Sequence, residues 1–178
     1  MTKKLFTDHY VNQLYKLHHV KKSFGTAGKY KGLTEWFEKY QFKSCLDYGC
    51  GKASLMFNLK EQFPTCDFTG YDPGIVAFQE MPQGKFEGLI CTDVLEHIEP
   101  NFLNNVLNHI ESLFTRNAFL VIDTVPARKF LQDGRNAHLI IENQEWWTKK
   151  ITEQMPHCSI VKNVYNEKKK KIIMELTK

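Results

Sequence analysis

The sequence has no long apolar run, no paired-cysteine motif and no internal repeat. A helix that crosses a membrane needs roughly 18 or more apolar residues in succession, and none of the apolar stretches is that long. The five cysteines are scattered without a C-x-x-C spacing, which argues against a zinc ribbon or a disulfide framework. The basic N-terminal stretch has no apolar signal core, so the sequence predicts a cytoplasmic protein without a membrane partner.

The chain does contain enough apolar material for one folded domain. Hydrophobic residues make up 42% of its 178 residues, which is too many for a disordered chain. The net charge is +4 at pH 7, and residues 1–43 hold nine lysines against three acidic residues. A second cluster, residues 167–171, reads EKKKK. These charges fit a solvated surface, or they attract an anionic substrate such as a phosphate or an RNA end.

Short apolar segments alternate along the chain with segments of helical periodicity. Strands are predicted at 44–48, 66–72, 86–93 and 117–125, with a terminal hairpin formed by 158–165 and 171–176. Helices are predicted at 5–20, 33–42, 52–63, 101–114 and 144–155. This alternation predicts a Rossmann-like, doubly wound α/β fold with a mostly parallel sheet and a C-terminal antiparallel hairpin. In such sheets, ligands bind at the carboxyl ends of the strands, near the switch in strand order.

The first predicted strand runs into a glycine-containing loop, CLDYGCGKASL at residues 45–55. Gly49 and Gly51 permit a tight turn and let a ligand approach the backbone closely. A dinucleotide fingerprint would have a further glycine where this chain has Ser54. Asp47 would repel a pyrophosphate and suits a ligand with an ammonium group. Both features argue against an NAD-binding oxidoreductase.

A second acidic residue, Asp72, ends the second predicted strand, 21 residues after Gly51. An acid about 20 residues beyond a glycine loop suits a pair of ribose hydroxyls, because a carboxylate accepts two hydrogen bonds from a vicinal diol. A ligand with an ammonium group at one end and a ribose further along matches S-adenosylmethionine (SAM).

In order and spacing, the stretches LDYGCGKAS, GYDPG and CTDVLEHIEP resemble the motifs of class I SAM-dependent methyltransferases, over roughly Ser44 to Asp123. The resemblance implies an enzyme with SAM as its cofactor. It implies that Asp47 meets the methionine amino group, that Asp72 binds the ribose, and that Thr92 lies near the methionine end. The implied cofactor-binding residues are Asp47, Gly49, Cys50, Gly51, Asp72, Thr92 and Asp93.

One departure from the family pattern concerns the segment after Asp72. In that fold a third strand and its helix usually follow the ribose acid and often supply an acidic contact to the adenine. Here thirteen residues, 73–85, separate Asp72 from Phe86, which is too few for both elements. We therefore predict that the usual third, edge strand is missing, and the adenine contact stays open.

The residues beyond the cofactor motifs suggest how an acceptor is activated. The segment DVLEH supplies Glu96 and His97, and the long loop after the fourth strand supplies His138. Both segments leave the same edge of the sheet, so the two histidines are predicted to converge over the transferable methyl group. We predict Glu96, His97 and His138 as catalytic residues, acting either as a base or as ligands of a metal.

A narrower resemblance leads to an alternative function. Asp93-x-x-Glu96-His97 and the later His138, shortly before Glu145-Trp146, are partly similar to small-RNA methyltransferases that modify the 2′-oxygen of a 3′-terminal ribose. In that family the matching positions bind a divalent cation. The chain lacks the RNA-binding domains of the larger members, so a metal is an open alternative that the sequence does not favour.

The predicted function is methyl transfer from SAM to an acceptor, in particular to an oxygen of a small polar or sugar- or phosphate-bearing substrate. The partner is a small molecule or a terminal sugar, with RNA as an alternative. The chain divides into an N-terminal helical, basic, substrate-covering region, 1–43, and a SAM-binding methyltransferase domain, 44–178. Two other functions stay open: a metal-dependent RNA 3′-terminal ribose 2′-O-methyltransferase, and a SAM-binding module without catalysis.

Overall fold

The computed structural model describes residues 3–20, 25–26, 30 and 32–178. Four of the lysines that make the predicted N-terminal region basic, at positions 21, 22, 29 and 31, lie outside these residues. In the described part of the chain, no helix has the length and apolarity needed to cross a bilayer.

Helices and strands alternate after an N-terminal helix pair. The helices are α1 (Asp8–Val20), α2 (Leu33–Tyr40), α3 (Ser54–Gln62), α4 (Leu103–Leu113) and α5 (Gln144–Gln154). The strands are β1 (Ser44–Tyr48), β2 (Asp67–Tyr71), β3 (Phe86–Thr92), β4 (Phe114–Asp123), β5 (Ser159–Asn166) and β6 (Lys171–Thr177). Short 3-10 turns lie at Val76–Phe78, Leu95–His97 and Pro100–Phe102.

The described strands form a single sheet in the order β2-β1-β3-β4-β6-β5. The pairs β1–β2, β1–β3 and β3–β4 are parallel, whereas β6 runs antiparallel to both β4 and β5. The predicted doubly wound, mostly parallel sheet with a C-terminal antiparallel hairpin is therefore confirmed. Strand order reverses beside β1, so a ligand crevice is expected between the carboxyl ends of β1 and β3.

The predicted absence of the third strand is also confirmed. Every residue from Asp72 to Lys85 is described, and the segment contains a 3-10 turn at Val76–Phe78 but no strand. Strand β2 is consequently an edge strand, and all of its residues except Tyr71 are at least partly exposed.

The two faces of the sheet are covered by different helices. On one face, Leu107, Ile110 and Trp147 of α4 and α5 belong to the larger buried cluster. On the other, Trp36 and Phe37 of α2 pack with the neighbouring apolar residues of β1, α3 and β4. Because both faces are covered, β3 and β4 are buried along most of their length, which explains their continuous apolar sequences.

Helix α1 lies at the carboxyl ends of the strands. Its hydroxyl-bearing Tyr10 donates a hydrogen bond to the His97 carbonyl, at 2.6 Å. Thr7, just before the helix, bonds through its backbone N–H and its hydroxyl to the Glu99 carboxylate. These contacts hold α1 across the edge of the sheet where a ligand is expected.

Candidate functional site

A cavity of about 580 Å³ opens at the carboxyl ends of β1, β2, β3 and β4. Its volume is in the range of about 300 to 1,000 Å³ that is typical of small-molecule sites. The strand ends, helix α1 and the loop that follows β4 all contribute to its wall. Of the ten predicted site residues, nine line this cavity: Asp47, Gly49, Cys50, Gly51, Asp72, Thr92, Asp93, His97 and His138.

The glycine loop after β1 is folded so tightly that larger residues would not fit. Gly49 and Gly51 have φ angles of 80° and 53°, where a glycine is strongly favoured. A Cβ atom on Gly49 would lie 2.3 Å from Val94, and one on Gly51 would lie 2.6 Å from the Gly25 carbonyl oxygen. The N–H groups of Gly49 and Cys50 both donate to the Tyr71 carbonyl. The loop therefore brings bare backbone to the cavity wall.

The thiol of Cys50 faces the same cavity but is not a reactive group. Burial, and then the neighbouring Asp47 and Asp72, raise the pKa of the Cys50 thiol far above its usual value. A thiol held in its neutral form is a poor nucleophile. Cys50 therefore fills space in the loop.

Asp47 has a buried carboxyl group, and one of its oxygens has no hydrogen-bond partner among the described residues. It is 2% exposed, and among the described residues its Oδ2 accepts no hydrogen bond. Burial raises the pKa of Asp47 to about 7, with a further contribution from Asp72. A cationic ligand in the cavity would favour the ionised form of this carboxyl.

Asp72, at the end of β2, is oriented by the backbone around it. Its Oδ2 accepts the N–H of Gly51 at 2.9 Å, and its Oδ1 accepts the N–H of Gly74 at 2.8 Å. His18 of α1 approaches the same carboxylate, with its Nε2 3.8 Å from Oδ1. Burial raises the pKa of Asp72, and His18 and the two N–H groups oppose that effect. Each carboxylate oxygen keeps a second lone pair for a ligand.

Asp93 follows β3 and is held in a left-handed conformation, with a φ of 55°. Its Oδ2 accepts hydrogen bonds from the Tyr30 hydroxyl and the Lys171 ammonium group. Its Oδ1 is buried and has no partner among the described residues. With Thr92, the last residue of β3, it lies on the cavity wall.

His97 and His138 lie against each other on the cavity wall. Their ring centroids are 4.7 Å apart and the ring planes are at 84°. Nδ1 of His97 bonds to the Ala137 carbonyl at 2.7 Å, and Nδ1 of His138 bonds to the Val125 carbonyl. A carbonyl oxygen only accepts, so each Nδ1 is the donor and each neutral ring has its lone pair on Nε2. Burial, and then His138, lower the pKa of His97 to about 4.

Glu96 is the one predicted site residue that does not line the cavity. It is fully buried behind the histidines, and its Oε1 accepts the N–H of Asp123 at 3.2 Å. Its Oε2 has no partner among the described residues. Burial raises the pKa of Glu96 well above its usual value, and Asp93 adds to that effect. Ligand atoms of Glu96, His97 and His138 all lie within 4.8 Å of one another.

Sequence reasoning missed several residues on or beside the cavity wall. Tyr10, Leu14 and His18 of α1 all line it, and their i, i+4, i+8 spacing is a signal that could have identified this face of the helix. Tyr30 and Lys171 approach from distant parts of the chain, and no local pattern indicates their contact with Asp93.

The chain matches the model of a protein family described as "Methyltransferase domain" over residues 17–167. No curated protein sequence matches it at a significant level.

Solved structures with the same fold have low sequence identity to the chain. A 1,6-didemethyltoxoflavin-N1-methyltransferase from Burkholderia thailandensis is 13% identical, with a TM-score of 0.63 over 100% of this chain and 93% of that one. A magnesium protoporphyrin IX methyltransferase from Synechocystis is 17% identical, with a TM-score of 0.62 over 82% and 80%. A SAM-dependent methyltransferase from Clostridium acetobutylicum is 14% identical, with a TM-score of 0.60 over 91% and 97%. The first two structures contain S-adenosylhomocysteine (SAH).

Proposed function

The chain belongs to the methyltransferase-domain family, and on that basis we propose that it methylates an oxygen of a small polar acceptor that bears a sugar or a phosphate. It is an enzyme of the class I SAM-dependent methyltransferase superfamily, and SAM is its methyl donor. The alternative of a SAM-binding module without catalysis is therefore set aside.

The cofactor is proposed to lie along the carboxyl ends of β1, β2 and β3. Asp47 pairs with the amino group of the methionine, and Asp72 accepts hydrogen bonds from the ribose hydroxyls. The backbone atoms of the loop Gly49–Gly51 lie along the cofactor. Thr92 and Asp93 lie at its methionine end. Among the described residues, the buried Oδ2 of Asp47 has no hydrogen-bond partner, and this supports the orientation because an ammonium group would pair with it.

The observation that best supports transfer to oxygen is the convergence of His97 and His138 on the cavity wall. When bound, SAM supplies an electrophilic methyl group on its sulfonium. An acceptor hydroxyl held beside the two rings would lose its proton to an imidazole Nε2, which carries the lone pair because Nδ1 donates to a backbone carbonyl. The imidazole would keep the proton, SAM would supply the methyl group to the acceptor oxygen, and SAH would remain as the leaving group.

The basic residues on the side of the cavity formed by the loop after β4 support an anionic acceptor, whereas the aspartates lie at the strand ends where the cofactor is proposed to bind. Arg128 and Lys129, in the loop after β4, line the wall. Arg128 has no ion-pair partner among the described residues, and neither do Lys168 and Lys169 in the turn between β5 and β6. Positive side chains beside a cavity raise the local concentration of anions.

The test of this proposal is SAH release from SAM with a panel of hydroxyl compounds, with and without phosphate groups. His97→Ala and His138→Ala should each lower kcat by about 10² to 10⁴-fold, the usual contribution of a general base. His157→Ala is the matched control, because His157 is an exposed histidine just before β5, at the amino ends of the parallel strands and away from the cavity. Full activity of both cavity variants on the true acceptor would contradict the proposal.

A second candidate function uses the same residues as metal ligands. Two imidazole nitrogens and a carboxylate oxygen within 4.8 Å of one another suit a divalent transition metal. The carbonyls that fix both histidine tautomers are the usual second layer of such a site. The bound ion would orient the two hydroxyls of a 3′-terminal ribose, with RNA as the substrate.

Metal binding and RNA methylation can be measured separately. Titration with Mn²⁺, followed by electron paramagnetic resonance, should show one site in the wild type and none in Glu96→Gln. Methylation of an oligoribonucleotide with a free 3′-terminal diol should stop on chelation, and an end already 2′-O-methylated should not react. Absence of Mn²⁺ binding together with chelator-resistant turnover would eliminate this second function.

A further inference from the structure

Helix α1 lies along the cavity and reaches both of its ends. Near one end, Tyr10 donates to the carbonyl of His97. Near the other, the side chain of His18 is 3% exposed and lies beside Asp72. Eight residues of α-helix span about 12 Å, so one face of α1 covers the length between the histidine pair and the proposed ribose acid.

Two glycines make room for the His18 ring. A Cβ atom on Gly25 would lie 2.6 Å from Cε1 of His18, and one on Gly74 would lie 3.2 Å from its Cδ2. A Cβ atom on Gly74 would also lie 2.9 Å from the Cβ of Leu14, so this glycine allows Leu14 to approach closely. The His18 ring is thus enclosed between Gly25, which packs on Gly51 of the glycine loop, and Gly74, whose N–H donates to Asp72.

The distance between His18 and Asp72 suits a bridging group. Nε2 lies 3.8 Å from Oδ1 of Asp72, which is too long for a direct hydrogen bond. At this separation one hydroxyl oxygen can lie about 2.8 Å from both atoms. Such a hydroxyl donates to the carboxylate and accepts the N–H of the imidazole.

We infer that His18 belongs to the cofactor site and that its Nε2, together with Oδ1 of Asp72, binds a hydroxyl group of the ribose. This inference rests on the proposed function, because it assumes that Asp72 faces the ribose of SAM. It adds a residue of the N-terminal region to the nucleoside end of the site. Helix α1 is then a cofactor-binding element as well as a cover for the acceptor.

The test compares SAH with its 2′,3′-dideoxy analogue by calorimetry. The wild type should bind SAH at least about tenfold more tightly than the analogue, the size expected for hydrogen bonds to charged groups. His18→Ala should weaken SAH binding by about five- to tenfold and leave the affinity for the analogue within about twofold. His19→Ala is the matched control, because the adjacent His19 is exposed on the same helix.

The outcomes separate the inference from the function it rests on. Equal losses for SAH and the analogue in His18→Ala, or no loss for either, would overturn the role of His18. His18→Gln, which keeps a donor near the Nε2 position, should recover part of the preference for SAH and tests the case in which the alanine variant does not fold. A wild type that binds both ligands equally would instead remove Asp72 from the ribose site, and both the inference and the cofactor assignment would fail.

Discussion

Among single residues, Asp47 has the sharpest conflict between stability and ligand binding. Its carboxyl is buried, its pKa is raised from 3.8 to about 7, and Asp72 is nearby. The raised pKa means that the folded protein disfavours the ionised form. Stability is therefore lost as the pH rises from the unfolded value towards the folded one. A ligand with an ammonium group would reverse this loss, so we interpret the conflict as a property of a binding site.

Asp47→Asn should change the pH dependence of stability. Between pH 5 and pH 8, the free energy of unfolding of the ligand-free variant should rise by about 2 to 3 kcal/mol relative to the wild type, because the wild-type carboxyl ionises with a pKa of about 7 in the folded state and 3.8 in the unfolded state. The same substitution should weaken SAH binding by about 10- to 100-fold, because a hydrogen bond between charged groups is lost. Urea unfolding at both pH values and calorimetry measure the two effects.

Asp67→Asn is the control for this prediction. Asp67 is an exposed aspartate at the start of β2, at the amino ends of the parallel strands and therefore away from the cavity. Its substitution should leave both the pH dependence and SAH affinity unchanged. If Asp47→Asn and Asp67→Asn change the pH dependence of unfolding equally, the folded protein does not disfavour the ionised form of Asp47.

At the scale of elements, the β5–β6 hairpin brings a basic turn to the edge of the site. Lys171, the first residue of β6, pairs with Asp123, the last residue of β4. The backbone N–H and the hydroxyl of Thr124 both donate to the Lys170 carbonyl. Because β6 is antiparallel to β4, the turn at residues 167–170 lies at the carboxyl ends of the parallel strands. Sequence alone places these lysines in a turn, and the sheet topology places the turn beside the cavity.

Reversing two charges of this turn should impair a phosphate-bearing acceptor selectively. The double variant Lys168→Glu/Lys169→Glu should raise KM for such an acceptor by about tenfold at low ionic strength, because the attraction at the cavity mouth becomes repulsion. The difference should shrink as salt screens the charges. Steady-state kinetics at low and high NaCl measure both effects, and KM for SAM should not change.

The variant Lys60→Glu/Lys85→Glu makes the same change in net charge at a distant place. Lys60 lies near the end of α3 and Lys85 immediately before β3, both exposed and away from the carboxyl ends of the strands. If this control raises KM as much as the turn variant does, the effect comes from net charge, and the turn has no specific part in binding the acceptor.

At the scale of the whole molecule, the sequence predicted the sheet well because its central strands are buried. The apolar runs of β3 and β4 and the short connection after Asp72 follow directly from covered faces and chain length. The boundary at Phe114 was not predictable in this way, because α4 passes into β4 without a glycine or proline. Lys171 was missed for another reason: its contact with Asp93 depends on tertiary packing, which leaves no local pattern. For His18, the helical spacing with Tyr10 and Leu14 marks the helix face, but the contact with Asp72 again depends on tertiary packing.

The two N-terminal helices differ in how they join the rest of the molecule. In α2, Trp36 and Phe37 are almost fully buried in the cluster that includes Phe119 of β4. Helix α1 instead buries Tyr10 and Leu17 in a small cluster with Leu131, at the rim of the cavity. The predicted region 1–43 therefore contains one helix that packs under the sheet and one that covers the site.

Two truncations should separate these roles. Deletion of residues 1–32 removes α1 and keeps α2, so the protein should fold and retain measurable but weaker SAH binding, while turnover is abolished. Deletion of residues 1–43 also removes Trp36 and Phe37, and each large buried aromatic contributes about 3 to 5 kcal/mol. Domains of this kind have only about 5 to 15 kcal/mol of stability, so the longer deletion should not fold.

Circular dichroism, calorimetry with SAH and turnover assays test both deletions. An intact rate without residues 1–32 would exclude α1 from the site. A folded protein without residues 1–43 would place α2 outside the core.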